Sequence, residues 1–106
     1  MFSGVSGWGA VDMHLGTLAR VLGRHEDSLS HLAAAQELHD AMDAPVWRAR
    51  TRFERARSLA ARDDPGDTEQ ALSLLTAARE LGAQGIERRA LELERELQGR
   101  AVAGQP

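Results

Sequence analysis

The strongest constraint on this 106-residue chain is an internal echo. Displaced by 43 positions, Ser28, Leu32 and Ala35 fall on Ala71, Leu75 and Ala78. A small residue, a large one four positions on and another small one three further lie on one face of a helix. The small side chains let neighbouring backbones approach, and the large one fills the space between them. Such a helix recurring at a fixed period points to stacked helical units, each unable to bury its apolar face alone.

The remainder of the chain supports an all-α fold. Ile occurs once and Tyr not at all, whereas strands favour β-branched and aromatic residues. From near Gly9, Val11, Leu15, Leu18 and Leu22 form one helical stripe, and Gly23 suits the positive φ of a helix C-terminus. A second helix opens near Glu26 and Asp27, whose carboxylates oppose the positive end of its dipole. It carries Leu32, Ala35 and Met42 on one face, with Leu29 and Leu38 alongside. Pro45 fits the first turn of a third helix. That helix sets Val46, Ala49, Phe53, Ala56 and Ala60 on one side and Arg48, Arg52 and Arg55 on another. Asp63-Asp64-Pro65-Gly66-Asp67 reads as a loop, and Asp67 with Gln70 as a capping box. The fourth helix then buries Ala71, Leu74 or Leu75, Ala78 and Leu81. After a break at Gly82 to Gly85, a fifth buries Ile86, Ala90, Leu93 and Leu97 and pairs Arg88 with Glu92. The expected organisation is a flexible N-terminal segment (1–8), one helical-repeat domain (9–98) and a flexible tail (99–106). Within the domain lie two antiparallel hairpins, 9–43 and 45–82, and a terminal helix, 86–98.

With Leu15-Gly16, Gly23, Ser28, Leu32 and Ala35 in the first unit and Ala71, Leu75 and Ala78 in the second, the chain resembles the tetratricopeptide repeat. It departs in the first half of the second unit, where Arg55-Ala56 or a neighbouring pair replaces Leu-Gly and the turn is longer. The stretch from Gly9 to Ala90 is also similar to the C-terminal helical repeats of large bacterial transcriptional regulators that carry ATPase or nucleotide-cyclase modules. Phrases such as Leu22-Gly23-Arg24, Ala44-Pro45, Asp64-Pro65-Gly66-Asp67 and Glu80-Leu81-Gly82 carry that likeness. The resemblance implies five helices stacked as a short tetratricopeptide-like solenoid. It also implies a non-catalytic protein-interaction or regulatory module, or a small-molecule sensor. Nothing covers the first helix on its N-terminal side, so the expectation is a longer array or self-association through that helix.

Several chemistries find no support. Thirteen basic residues against sixteen acidic leave a net charge of −3, without a global pull towards nucleic acid or an anionic membrane. No cysteine is present, and no apolar run approaches the ~20 residues of a membrane span. Met1 to Gly9 has neither the basic leader nor the apolar core of a signal peptide, so the default compartment is the cytoplasm. His14, His25, His31 and His39 include no pair at the i,i+4 spacing of a helical zinc site. His39 lies on the Leu32–Ala35–Met42 stripe, where a packed, hydrogen-bonded role is expected. Asp12 beside His14 does not make an acid/base pair, no Gly-x-Ser-x-Gly elbow occurs, and Gly4-x-x-Gly7-x-Gly9 lacks the strand and Lys of a phosphate loop. Neither catalysis nor a cofactor is expected.

Ala19, Gly23 and Leu29 have the spacing of a DNA-reading helix-turn-helix, with Leu18 and Leu22 as core. That reading would carry Glu26 and Asp27 towards phosphates, with only Arg24 and His31 in compensation. The Arg-rich third helix admits two readings. Its charges form a solvated face balanced by Glu54 and neighbouring acids, or Arg48, Arg52 and Arg55 grip a carboxylate of a protein or peptide partner. In the second, Met13, Thr17 and Arg20 of the first helix line the same groove. Trp47 is either a wedge between units or an exposed anchor.

Overall fold

Short connections force each helix back upon its predecessor, and the apolar stripes then decide which faces meet. The computed structural model describes residues 4–42, 45–82 and 85–103, with side chains between residues 11 and 100 of those ranges. All regular structure among them is helical: α1 (Gly4–Val21), α2 (His25–Ala41), α3 (Pro45–Arg62), α4 (Asp67–Glu80) and α5 (Ile86–Ala103). Each helix packs on the next in sequence, and α3 also touches α1 and α5, so that α3 meets all four others. The molecule measures 56 × 29 × 18 Å.

Pro45 opens α3 and Gly23, at φ 80°, follows α1, both as the sequence requires. Other boundaries differ. α1 already runs from Gly4 and α5 reaches Ala103, so residues 4–8 and 99–103 are helical rather than the irregular ends expected; residues 1–3 and 104–106 lie outside the described residues. Once an amphipathic segment has nucleated, each further turn adds hydrogen bonds at little cost, with or without an apolar face to bury. The capping box is not formed either. Gly66, at φ 87°, is the N-cap of α4, while Asp67 receives Arg62 through both carboxylate oxygens at 2.8 Å. Two charge-assisted bonds outcompete a single cap bond. The Arg88–Glu92 pair is also absent; α5 instead pairs Glu94 with Arg79 of α4 at 3.0 Å.

The core has two parts. Ala49, Phe53, Ala56, Leu59, Ala71, Leu75, Ala78, Ile86, Ala90 and Leu97 join α3, α4 and α5. Met13, Leu32 and Ala35 form a smaller cluster between α1 and α2. The echo predicted from sequence is fully buried: Ser28, Leu32, Ala35, Ala71, Leu75 and Ala78 expose no surface. Each such leucine contributes roughly 1.5–3 kcal/mol by leaving water. Gly16 permits the close approach of α1, because a Cβ there would stand 2.6 Å from Leu32 Cγ.

Between the two clusters runs a polar seam joining α2 to α3. Ser28 Oγ meets Ser58 Oγ at 2.7 Å, His39 Nδ1 meets Thr51 Oγ1 at 2.8 Å, and Arg55 donates to Gln36 Oε1 at 2.7 Å. Arg52 grips Asp40 through two bonds of 2.9 and 3.0 Å, joined by Arg48 at 3.1 Å. A second correspondence follows from this seam. Arg55 on Gln36 is matched by Glu94 on Arg79, 39 and 43 positions further along. The burial of Met13, Gly16 and Ala19 in α1 is matched 40 positions on by Phe53, Ala56 and Leu59 in α3.

Candidate functional site

The six residues expected to share one groove divide between two places. On α3, Arg48, Arg52 and Arg55 point at α2, where Asp40 and Gln36 hold them. Asp40 is the carboxylate partner of Arg48 and Arg52, whereas Arg55 donates to the Gln36 amide oxygen. The Asp40 carboxyl is correspondingly held below its usual range, chiefly by the hydrogen bond from Arg52. Burial lowers the pKa of Arg55 from its ordinary value. Met13, Thr17 and Arg20 face another side of α3. Met13 is buried, Thr17 donates to the Met13 carbonyl at 3.0 Å, and Arg20 reaches Glu54 at 2.9 Å.

What does line a groove is the α3 face turned towards α1 and α5. Between α1 and α3, Met13, His14 and Thr17 oppose Trp47, Arg50 and Glu54 around a depression of about 310 Å³. Between α3 and α5, Phe53 and Arg57 oppose Arg89, Leu93 and Glu96 around one of about 240 Å³. A third, of about 430 Å³, continues past Arg20, Ala61 and Arg100 and touches all three helices. Helical periodicity explains the alignment, because Trp47, Arg50, Glu54 and Arg57 recur at three- and four-residue intervals along one side of α3.

The groove repeats one chemical device, an arginine over an aromatic ring. Arg50 stands 5.3 Å from the centroid of Trp47. Arg89 and Arg57 stand 4.6 and 5.7 Å from that of Phe53. Arg57 also meets Glu54 at 3.6 Å. Arg50 and Arg89 make no ion pair among the described residues. A guanidinium attracted to a ring face still keeps N–H donors with which to bind a carboxylate. Trp47 stacks on His39 with centroids 5.3 Å apart, and the residue as a whole is 37% exposed.

The histidines are dispersed. His39 is buried against Thr51 and its pKa is lowered by that burial. Asp12 approaches His31 at 3.4 Å and not His14. Among the described residues no three His, Asp or Glu side chains converge on a common point, and no helix is long and apolar enough to cross a membrane. Of the groove's residues, Arg50, Arg57 and Arg89 carried no site reading in the sequence, and Phe53 was read there only as a buried residue. The available signal was an aromatic followed by Arg three or four positions later, twice in one helix. It was masked because Arg occurs on every face of α3.

No family model matches the sequence, and neither a curated protein nor a solved structure is measurably similar to it.

Proposed function

We propose that this chain is a non-catalytic protein-interaction module of tetratricopeptide-like architecture, which docks an acidic peptide segment along α1, α3 and α5. The observation that carries this reading is the pair of groove-lining arginines, Arg50 and Arg89, each placed over an aromatic ring and without an ion-pair partner among the described residues. The architecture draws support from the repeated burial pattern of α2 and α4 and from the placement of α3 against both α1 and α5. The likeness to the terminal repeats of bacterial regulators gives such a module a place as the recognition arm of a larger signalling system. Guanidinium groups pre-set on aromatic rings favour Asp or Glu side chains or a terminal carboxylate.

A labelled peptide of alternating Glu and Leu, titrated into the protein with a Lys-and-Leu peptide as control, tests the reading. Selective binding of the acidic peptide, weakened by salt and reduced tenfold or more in Arg50→Ala/Arg89→Ala at unchanged Tm, is expected. Equal binding of both peptides, or full binding by the double variant, rejects it. The DNA-reading alternative is less well served: α2 exposes Glu26, Asp27 and Glu37 and no arginine, while Leu18 and Leu22, its supposed core, lie exposed.

A further inference from the structure

The groove leaves one feature of the molecule unused. Val11, Leu15, Leu18, Val21 and Leu22 of α1 and its end expose between 40% and 76% of their surface. Val11, Leu15, Leu18 and Leu22 fall within one narrow stripe of the helix. This stripe corresponds to a known interface elsewhere in the chain. Forty positions on, the matching residues of α3 are Thr51, Arg55, Ser58 and Arg62, and every one of them bonds to α2. Their partners there are His39, Gln36, Ser28 and Glu26. The same face is thus covered by a helix in α3 and left bare in α1, with apolar side chains where α3 has polar ones.

We infer that this stripe is a self-association surface, closed by α1 of a second copy running antiparallel. Three features select that occupant. First, the spacing of Val11, Leu15, Leu18 and Leu22 is four, three, four, which reads the same in either direction. A two-fold axis between Leu15 and Leu18 sets Leu15 against Leu18 of the second copy and Val11 against its Leu22, as a self-complementary interface requires. Second, the four residues of the stripe expose on the order of 400 Å², a contiguous apolar patch of the size that marks interaction sites on monomers. Two copies together would bury about 800 Å², the size of a weak, concentration-dependent interface. Third, head-to-tail stacking is chemically mismatched, since α5 exposes Glu87, Arg88, Arg95 and Gln98. A parallel α1 pair would align the helix dipoles and set Arg24 beside its own copy; the antiparallel pair avoids both. The surface is distinct from the groove, so its failure would leave the peptide-docking proposal standing.

Sedimentation velocity from low micromolar to near-millimolar concentration tests the inference. A doubling of mass with rising concentration is expected, abolished by Leu18→Glu and by Leu22→Glu with helical circular dichroism unchanged. Leu22 lies beyond the helix and is 72% exposed, so its variant keeps the test valid if Leu18→Glu disturbs folding. Because the chain has no cysteine, Leu15→Cys and Leu18→Cys proteins can be mixed and oxidised to read the direction. The antiparallel pair forms the mixed disulfide in preference to either homodisulfide. A monomer at all concentrations, a dimer that survives both glutamate variants, or predominance of homodisulfides overturns the proposal.

Discussion

The hydroxyl of Ser58 donates to the hydroxyl of Ser28 at 2.7 Å, in a position closed to solvent. The direction follows from the neighbours. Ser28 uses its only proton on the Gly16 carbonyl at 2.7 Å, and Ser58 accepts from Arg20 at 3.4 Å. Arg20, Ser58, Ser28 and Gly16 therefore form one directed chain that ties α1, α2 and α3 together. Ser28→Ala fits sterically, because Ala71 occupies the matching position in α4. It takes the acceptor away from the buried Ser58 hydroxyl and removes the extra bond to the helical Gly16 carbonyl, so a loss of about 1–3 kcal/mol is expected in urea unfolding. Adding Ser58→Ala should cost less than the sum of the single changes; strict additivity would show that the two hydroxyls are not coupled.

Gly16→Ala reverses the usual helix rule. In an exposed helix interior the change gains roughly 1 kcal/mol. Here the new methyl would lie 2.6 and 2.9 Å from Leu32 side-chain atoms and 3.1 Å from the Ser28 carbonyl. Overpacking of that kind costs about 1–3 kcal/mol, so the variant should melt below the parent protein. Leu32→Val in the same chain should recover part of the loss, and a raised Tm for Gly16→Ala alone would contradict the packing.

His39 makes stability depend on mild acid. The Thr51 hydroxyl gives its proton to the Trp47 carbonyl at 2.6 Å, so His39 Nδ1 is the donor in their 2.8 Å bond. Burial holds the imidazole pKa below its ordinary value near 6.5. The unfolded chain therefore takes up the proton first as pH falls. The contribution of His39 is complete above about pH 6.5 and diminishes below it, down to the folded-state pKa. His39→Gln should flatten the urea-derived stability between pH 7 and 5 relative to wild type, and an unaltered slope would place the titration elsewhere. Asp40 adds an acid loss at lower pH, because its pKa is held down by Arg52 and Arg48 and its stabilisation disappears only as the carboxylate protonates.

Arg52→Ala separates the seam from the groove. Its guanidinium makes two bonds to Asp40 and one to the Arg48 carbonyl at 3.2 Å, so removal should lower stability by about 1.5–3 kcal/mol. Binding of the acidic peptide at a temperature where the variant is folded should remain within twofold of wild type. Arg50→Ala should do the opposite. If Arg52→Ala abolished peptide binding by a folded protein, the docking surface would have to be moved to the α2 side of α3.

The balance between sequence and structure is clearest on α1 and α3. The 43-residue echo located the faces of α2 and α4 that lie wholly buried, because a helix between neighbours needs small residues where backbones close together and that need is written locally. Gly23 and Pro45 were legible for the same reason, since each is a property of one residue's φ. Hydrophobic periodicity likewise found the stripe from Val11 to Leu22 but not Met13, Gly16 and Ala19, the residues α1 actually buries. A glycine and an alanine carry no hydrophobic signal, and their contact value exists only once Leu32 and Ser28 stand opposite. On α3 six arginines share one helix. Which of them are neutralised by Asp40, Glu54 or Asp67 and which lie on rings facing solvent depends on how α2, α1 and α4 are placed around it. Local chemistry thus determined the helices and most of their buried faces. Only the tertiary packing decided which charges are satisfied inside the molecule and which apolar and cationic faces remain open, because that depends on neighbours distant in the chain.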